Sequence, residues 1–257
     1  MGRGSLQSAA AVLAMAMAIG VAGAAEAQQY NWNGFYIGAE AGGGSGNSEW
    51  TFLGNNGNPD PLGNPNPTHV FFANPSPGGP SGPAFSSGLL GGHVGFMHQT
   101  DGLVLGVDGA WDWTRLSGTT IQDPRANPPD KFDVSINSIG TINGQLGVAN
   151  DRWLAYALGG IAFGKLDISH SGQCNTGCTT FLNSGGSSPV GWDAGAGISY
   201  AFTNSIIIGA EYDHVDLGTS DVTLNDVIHP GSPFFEVRRT HPAIDEIKAR
   251  VSWKLTN

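Results

Sequence analysis

Three Gly-x-acid triplets recur along this chain: Gly38-Ala39-Glu40, Gly106-Val107-Asp108 and Gly209-Ala210-Glu211. In an extended backbone each triplet puts its glycine and its carboxylate on one face. Near the end of the sequence Lys248, Arg250 and Lys254 alternate with Ile247, Ala249, Val251, Trp253 and Leu255. Carboxylates and cations on apposed faces have three uses. They can cross-link one another away from water, form a charged constriction that selects ions, or remain solvated without a special role.

Other candidates are thinner. His214 has Asp213 and Asp216 beside it, but an acyl-transfer site of the His-x-Ser type needs serine where this chain has Asp216. Without an activated nucleophile there is no acyl transfer, so no catalytic residue is assigned and the chain is expected not to be an enzyme. Loop histidines (His69, His170, His229, His241) could coordinate haem or metal at a surface. No pair among them has helical or hairpin spacing, so neither a metal nor a cofactor is assigned. Ser184-Gly185-Gly186-Ser187-Ser188 lacks the lysine and following helix of a phosphate loop. Cys174 and Cys178 share one loop, where an oxidising compartment would allow a disulfide. A metal site there needs more ligands than nearby His170 supplies.

The segments around these residues show a period of two. From Leu103 to Trp113 one face carries Leu103, Leu105, Val107, Gly109, Trp111 and Trp113, and the other Val104, Gly106, Asp108, Ala110 and Asp112. Apolar residues outside and carboxylates inside are the inversion expected of a transmembrane β-barrel strand. The same reading gives eight strands, at 34–43, 89–99, 103–113, 136–149, 153–166, 191–202, 205–217 and 246–255. Short turns at 100–102, 150–152 and 203–204, rich in Asn, Asp and Gly, alternate with long connections at 44–88, 114–135, 167–190 and 218–245. Short turns on one rim and long loops on the other are the asymmetry of an outer-membrane barrel. The first connection is dominated by Asn, Pro, Gly and Ser, a composition unable to bury a core.

Closing such a barrel makes the geometry specific. The last strand pairs with the first and the seventh, so Arg250 is expected between Glu40 and Glu211, with Lys248 one step nearer the outside. The expected lumen network is therefore Glu40, Asp108, Glu211, Lys248 and Arg250. A barrel of about eight strands is only wide enough to be filled by its own side chains. On the outer face Trp111, Trp113, Trp192, Tyr212 and Trp253 fall near strand ends, where aromatic belts sit.

The N-terminus reads as a secretory signal at residues 1–27: Arg3, an apolar stretch too short to span a bilayer, then Ala25-Glu26-Ala27. Cleavage is expected between Ala27 and Gln28, leaving one barrel domain at 28–257. The chain is acidic, with 11 Lys+Arg against 21 Asp+Glu. No basic stripe is left to neutralise phosphates, which argues against nucleic acid as a partner. The 40 glycines and the low charged fraction suit a crowded barrel interior.

Asn31-Trp32-Asn33-Gly34-Phe35-Tyr36-Ile37-Gly38 resembles the W-x-G-F-Y-x-G opening of the small outer-membrane β-barrel proteins common in alphaproteobacteria. The stretches 153–164, 191–198 and 210–218 are similar to that family's fifth, sixth and seventh strands. The resemblance implies an eight-stranded, porin-like, up-and-down barrel of the bacterial outer membrane, related to the OmpA transmembrane and opacity-protein folds. It implies outer-membrane lipid and the insertion machinery as partners, and an extracellular ligand reached through the loops. Relatives range over envelope integrity, host contact, haemin binding and pore formation. The expected function is a non-enzymatic barrel serving envelope structure and surface display. A narrow porin for small solutes, or an adhesin or haem-binding receptor acting through the loops, are the alternatives.

Overall fold

The computed structural model describes residues 30–55, 83–123, 130–173, 180–228 and 235–255. The expected signal segment with Ala27 and Gln28, most of the first connection, His69, His229, Cys174 and Cys178 lie outside the described residues. Ten strands are present: β1 (Gly34–Asn55), β2 (Ala84–Thr100), β3 (Leu103–Asp123), β4 (Asp130–Asn150), β5 (Trp153–Gln173), β6 (Thr180–Ser187), β7 (Val190–Ala201), β8 (Ile206–Asp216), β9 (Ser220–Asp226) and β10 (Phe235–Lys254). All pairings are antiparallel.

Eight of these strands close a ring, in the order β1-β2-β3-β4-β5-β7-β8-β10 and back to β1. Further out β5 pairs with β6, β6 with β9, and β9 with β10. Thus β6 and β7 are two parts of one wall position, interrupted at Ser188-Pro189, where proline has no amide hydrogen to give the ladder. Likewise β8 and β9 are separated at residues 217–219, where Gly218 takes a left-handed φ of 66°. The turns at the opposite rim use aspartate in the same region: Asp101 at φ 54° and Asp151 at φ 51°. Short polar side chains tolerate it best among non-glycine residues.

The eight wall positions are those expected, but the strands are longer. β3, β4 and β5 each run 21 residues. Residues 44–55 and 84–88, assigned above to the long first connection, are strand, and so are the flanks of the other three. The reason is a second inversion of polarity. Near the short-turn rim the outside is apolar and the inside polar. Beyond the aromatic row of Trp111, Trp113, Phe163 and Trp192 the alternation continues with its faces exchanged. Leu116, Val134, Ile136, Leu166, Ile168, Val222, Leu224 and Ile244 point inward and are buried. Arg115, Ser117, Thr119, Lys165, Asp167, Asp221 and Thr223 face out. A strand leaving lipid for water must turn its apolar side inward. Trp153 and Phe163 are ten residues apart on β5, about 26 Å along the barrel axis at the usual rise and tilt. That matches the apolar band of a bilayer-spanning barrel, about 25 Å.

The interior is stacked in layers. The floor is aromatic and aliphatic: Tyr30, Trp32, Met97, Val104, Leu154, Ala201 and Ile207. A charged layer follows, then the apolar layer around Leu116, Ile136, Leu166 and Leu217. Trp32 closes the floor from below. Its indole Nε1–H donates to the Asp151 carbonyl (3.1 Å), and its amide N–H donates to Gln99 Oε1 (2.8 Å). Tyr30 meets the Trp32 ring edge-on with centroids 4.9 Å apart.

Candidate functional site

Register places the charged layer. On β10 Arg250 lies opposite Glu40 of β1, and Lys248 lies opposite Glu211 of β8. Both cations point inward because β10 alternates without interruption from Glu236 to Lys254. Arg250 Nε stands 3.1 Å from Glu40 Oε2, Nη1 2.5 Å from Glu211 Oε2, and Nη2 2.9 Å from Asp108 Oδ1. One guanidinium therefore joins the acids of all three Gly-x-acid triplets. Its planar fork of donors suits that geometry better than an ammonium would.

Lys248 occupies a different centre. Its Nζ is 2.7 Å from Asp213 Oδ2 and 3.7 Å from each of Glu40, Asp112, Glu211 and Glu246. Of these, sequence reading had assigned only Glu40 and Glu211 to the network. Asp112, Asp213 and Glu246 were findable by the same period-two argument, since each lies two or four residues from a named charge on its own strand. Two tyrosines complete the layer, donating to Asp108 Oδ2 from Tyr36 Oη and to Glu211 Oε2 from Tyr156 Oη, both at 2.7 Å. His93 Nδ1 meets Glu40 Oε2 at 2.9 Å, and its Nε2 contacts Ser252 Oγ at 2.7 Å. Asn143 Nδ2 donates to Asp193 Oδ2 at 2.6 Å. Lys254 lies in the floor instead, with Nζ on the Asn31 carbonyl and 4.9 Å from the centroid of the Tyr30 ring.

Seven buried carboxylates (Glu40, Asp108, Asp112, Asp193, Glu211, Asp213, Glu246) thus surround two buried cations, Lys248 and Arg250. Glycines make room for the large members. A β-carbon at Gly95 would overlap the Tyr36 hydroxyl, one at Gly197 the Tyr156 ring, and one at Gly38 the His93 imidazole. Between this layer and the floor a cavity of about 20 Å³ remains, room for about one water molecule.

The family model for the outer membrane protein beta-barrel domain matches residues 11–229. The chain belongs to this family of outer-membrane β-barrel proteins. It resides in the bacterial outer membrane, with its apolar band against lipid. It is 29% identical over 137 residues to the 31 kDa outer-membrane immunogenic proteins of Brucella melitensis and Brucella suis, covering 52% of this chain and 55% of theirs. The chain therefore spans about half the length of these relatives in the matched region. Among solved structures it is similar to the outer membrane protease OmpT of Escherichia coli, with TM-score 0.46, 8% identity, and coverage of 90% of this chain and 99% of that one. It is similar also to OprG of Pseudomonas aeruginosa, with TM-score 0.44, 9% identity, and coverage of 89% and 100%.

In this outer-membrane barrel His214 faces outward and does not meet the acids beside it in sequence. Its Nδ1 contacts Asp245 Oδ1 at 2.9 Å, and Tyr212 Oη donates to the same oxygen at 2.7 Å. Asp213 points inward to Lys248, and Asp216 pairs with His241 Nε2 at 2.8 Å. Among the described residues no serine hydroxyl bonds to His214. His170 and His241, read above as loop residues, stand on β5 and β10. His170 is buried, stacked on Phe132 with centroids 3.9 Å apart and paired with Glu236 at 2.8 Å. Among the described residues no three His, Cys, Asp or Glu are arranged to hold a metal. At this outer level Arg238 bridges the Phe132 ring and Glu236 Oε2 (3.1 Å). Burial alone would raise the Glu236 carboxyl; His170 and Arg238 outweigh it and bring it down to about 2.

Proposed function

We propose that this protein is a non-conducting, non-enzymatic barrel that stiffens the outer membrane and carries its long connections on a rigid collar above the lipid. The observation that carries this reading is the filled lumen. Arg250 and Lys248 tie the walls together at bilayer depth, with side chains 6% and 2% exposed. Packed layers lie on either side, Trp32 and its neighbours below and Leu116, Ile136, Leu166 and Leu217 above. Ions crossing such an interior would have to displace side chains from both apolar layers and break charge pairs that are costly to leave unmade. The strand extensions support the display part. β1, β3, β4, β5 and β10 continue about ten residues past the aromatic row, so the connections start some 25 Å above it. The name of the Brucella relatives, outer-membrane immunogenic protein, accords with a surface-presented collar.

Single-channel recording in a planar bilayer tests the reading, with wild type beside a Glu211→Ala/Arg250→Ala double variant. A silent wild type is expected. Steady, ion-selective wild-type conductance that the double variant alters would refute it and make the protein a narrow porin.

A further inference from the structure

We propose that the outer wall over β3, β4 and β5 binds the phosphate of an outer-leaflet glycolipid headgroup, gripped by Arg115 and Lys165. The outward cations of the barrel divide by sector. On the β8–β10 side the outward Arg239 is matched by Asp221 at 2.7 and 2.9 Å, and the outward imidazoles of His214 and His241 contact Asp245 and Asp216. On the β3–β5 side Arg115, Lys131 and Lys165 are exposed, and among the described residues none forms an ion pair. The acids of that sector are engaged by neutral groups instead. Asp167 accepts from Asn137 Nδ2 at 2.5 Å, and Asp133 from the Thr119 hydroxyl. In a chain of net charge -10, this leaves Arg115 and Lys165 as unmatched cations near one level of the wall, with Lys131 further out opposite Ser171.

The height of the row selects the anion's source. Trp113, Ser138 and Lys165 align across the three strands, and Trp111 packs on Phe163 one row nearer the bilayer centre with ring centroids 5.8 Å apart. Lys165 therefore stands level with Trp113 at the outer edge of the aromatic belt, and Arg115 just beyond it; belt aromatics mark headgroup depth. The ladder is irregular at this level on both sides of β4. Register shifts fall between Trp113 and Leu116 on β3, and between Ile136 and Ser138 on β4. Bulges at a barrel rim re-aim side chains, and these two leave Arg115 and Asn137 between the row of Lys165 and the row of Leu166. Strands two positions apart separate the two cations by about 10 Å at the backbone, a span both long side chains can close around one phosphate. The lipid's acyl chains would then lie along Trp111, Ile161 and Phe163, which also face outward.

The test uses the full chain in phosphatidylcholine nanodiscs doped with bis-phosphorylated lipid A or with the same lipid A stripped of phosphate. Lipid retained after transfer to detergent is counted by native mass spectrometry. At about 1 kcal/mol for each surface cation, Arg115→Gln/Lys165→Gln should retain phosphorylated lipid A about thirtyfold less well than wild type. Wild type should retain the dephosphorylated lipid no better than the variant retains the phosphorylated one. Arg239→Gln, whose cation is already matched, should behave as wild type. If the double variant does not fold, Lys165→Gln alone should show about a fivefold loss. Equal retention of both lipids by wild type, or undiminished retention by the variant, would overturn the site. Release of the lipid by inorganic phosphate would overturn its assignment to a membrane lipid.

Discussion

Replacing Arg250 with methionine should be far more damaging than neutralising any one of the acids it holds. The guanidinium contacts Glu40, Asp108 and Glu211 within 3.1 Å, and all four side chains are at most 6% exposed. Removing one partner of a buried ion pair typically costs about 3–5 kcal/mol, because the other charge is left without compensation. Arg250→Met takes the guanidinium from three carboxylates at once and leaves Asp108 with only its Tyr36 hydrogen bond, so its cost belongs at the upper end of that range. Glu211→Gln removes one negative charge from a layer where carboxylates already outnumber cations, and its side-chain oxygen can still accept from Tyr156. It should cost about 1 kcal/mol or less. In the Glu211→Gln background Arg250→Met takes the guanidinium from two carboxylates rather than three, so the two changes should couple by about 1–2 kcal/mol. Urea unfolding in lipid vesicles, followed by tryptophan fluorescence, measures all four corners of the cycle. Costs that add within about 0.5 kcal/mol, or a Glu211→Gln as damaging as Arg250→Met, would refute the argument that the cation organises the layer.

Trp32→Ala, which removes the floor and the indole bond to Asp151, should destabilise by about 3–5 kcal/mol; the same urea titration reads it. Gly197→Val would force a side chain into the Tyr156 ring and should cost about 1–3 kcal/mol, visible as a lowered unfolding midpoint at unchanged slope. Glu236, held down to about 2, contributes stability to the collar above the ordinary glutamate range, and loses it as pH falls through about 2. Hydrogen exchange in the outer part of β10 should therefore accelerate between about pH 4.5 and pH 2. Glu236→Gln should abolish that dependence, and an unchanged profile would show that the His170–Glu236–Arg238 contacts contribute nothing there.

Much of this was legible in a single sequence because a β-strand exposes its two faces with a fixed period. The alternation from Leu103 to Trp113, with Asp108 and Asp112 opposite two tryptophans, was enough for strand, wall and bilayer. The three short turns set the antiparallel order, and closure then put Arg250 beside Glu40 and Glu211. Where the reading stopped early, at Trp113 or Leu166, the period had not ended. The solvent had changed, and Leu116 and Ile168 continue the same alternation with apolar residues turned inward. The sequence determined which residues share a face, because that depends only on the chain's own geometry. Tertiary structure alone decided that Lys248 would sit among five carboxylates, that Tyr36 and Tyr156 would reach across to Asp108 and Glu211, and that His214 would choose Asp245 over its neighbours Asp213 and Asp216. Apart from Lys248 with Glu246, those contacts join different strands, and their partners are set by the register, tilt and bulges of a closed sheet.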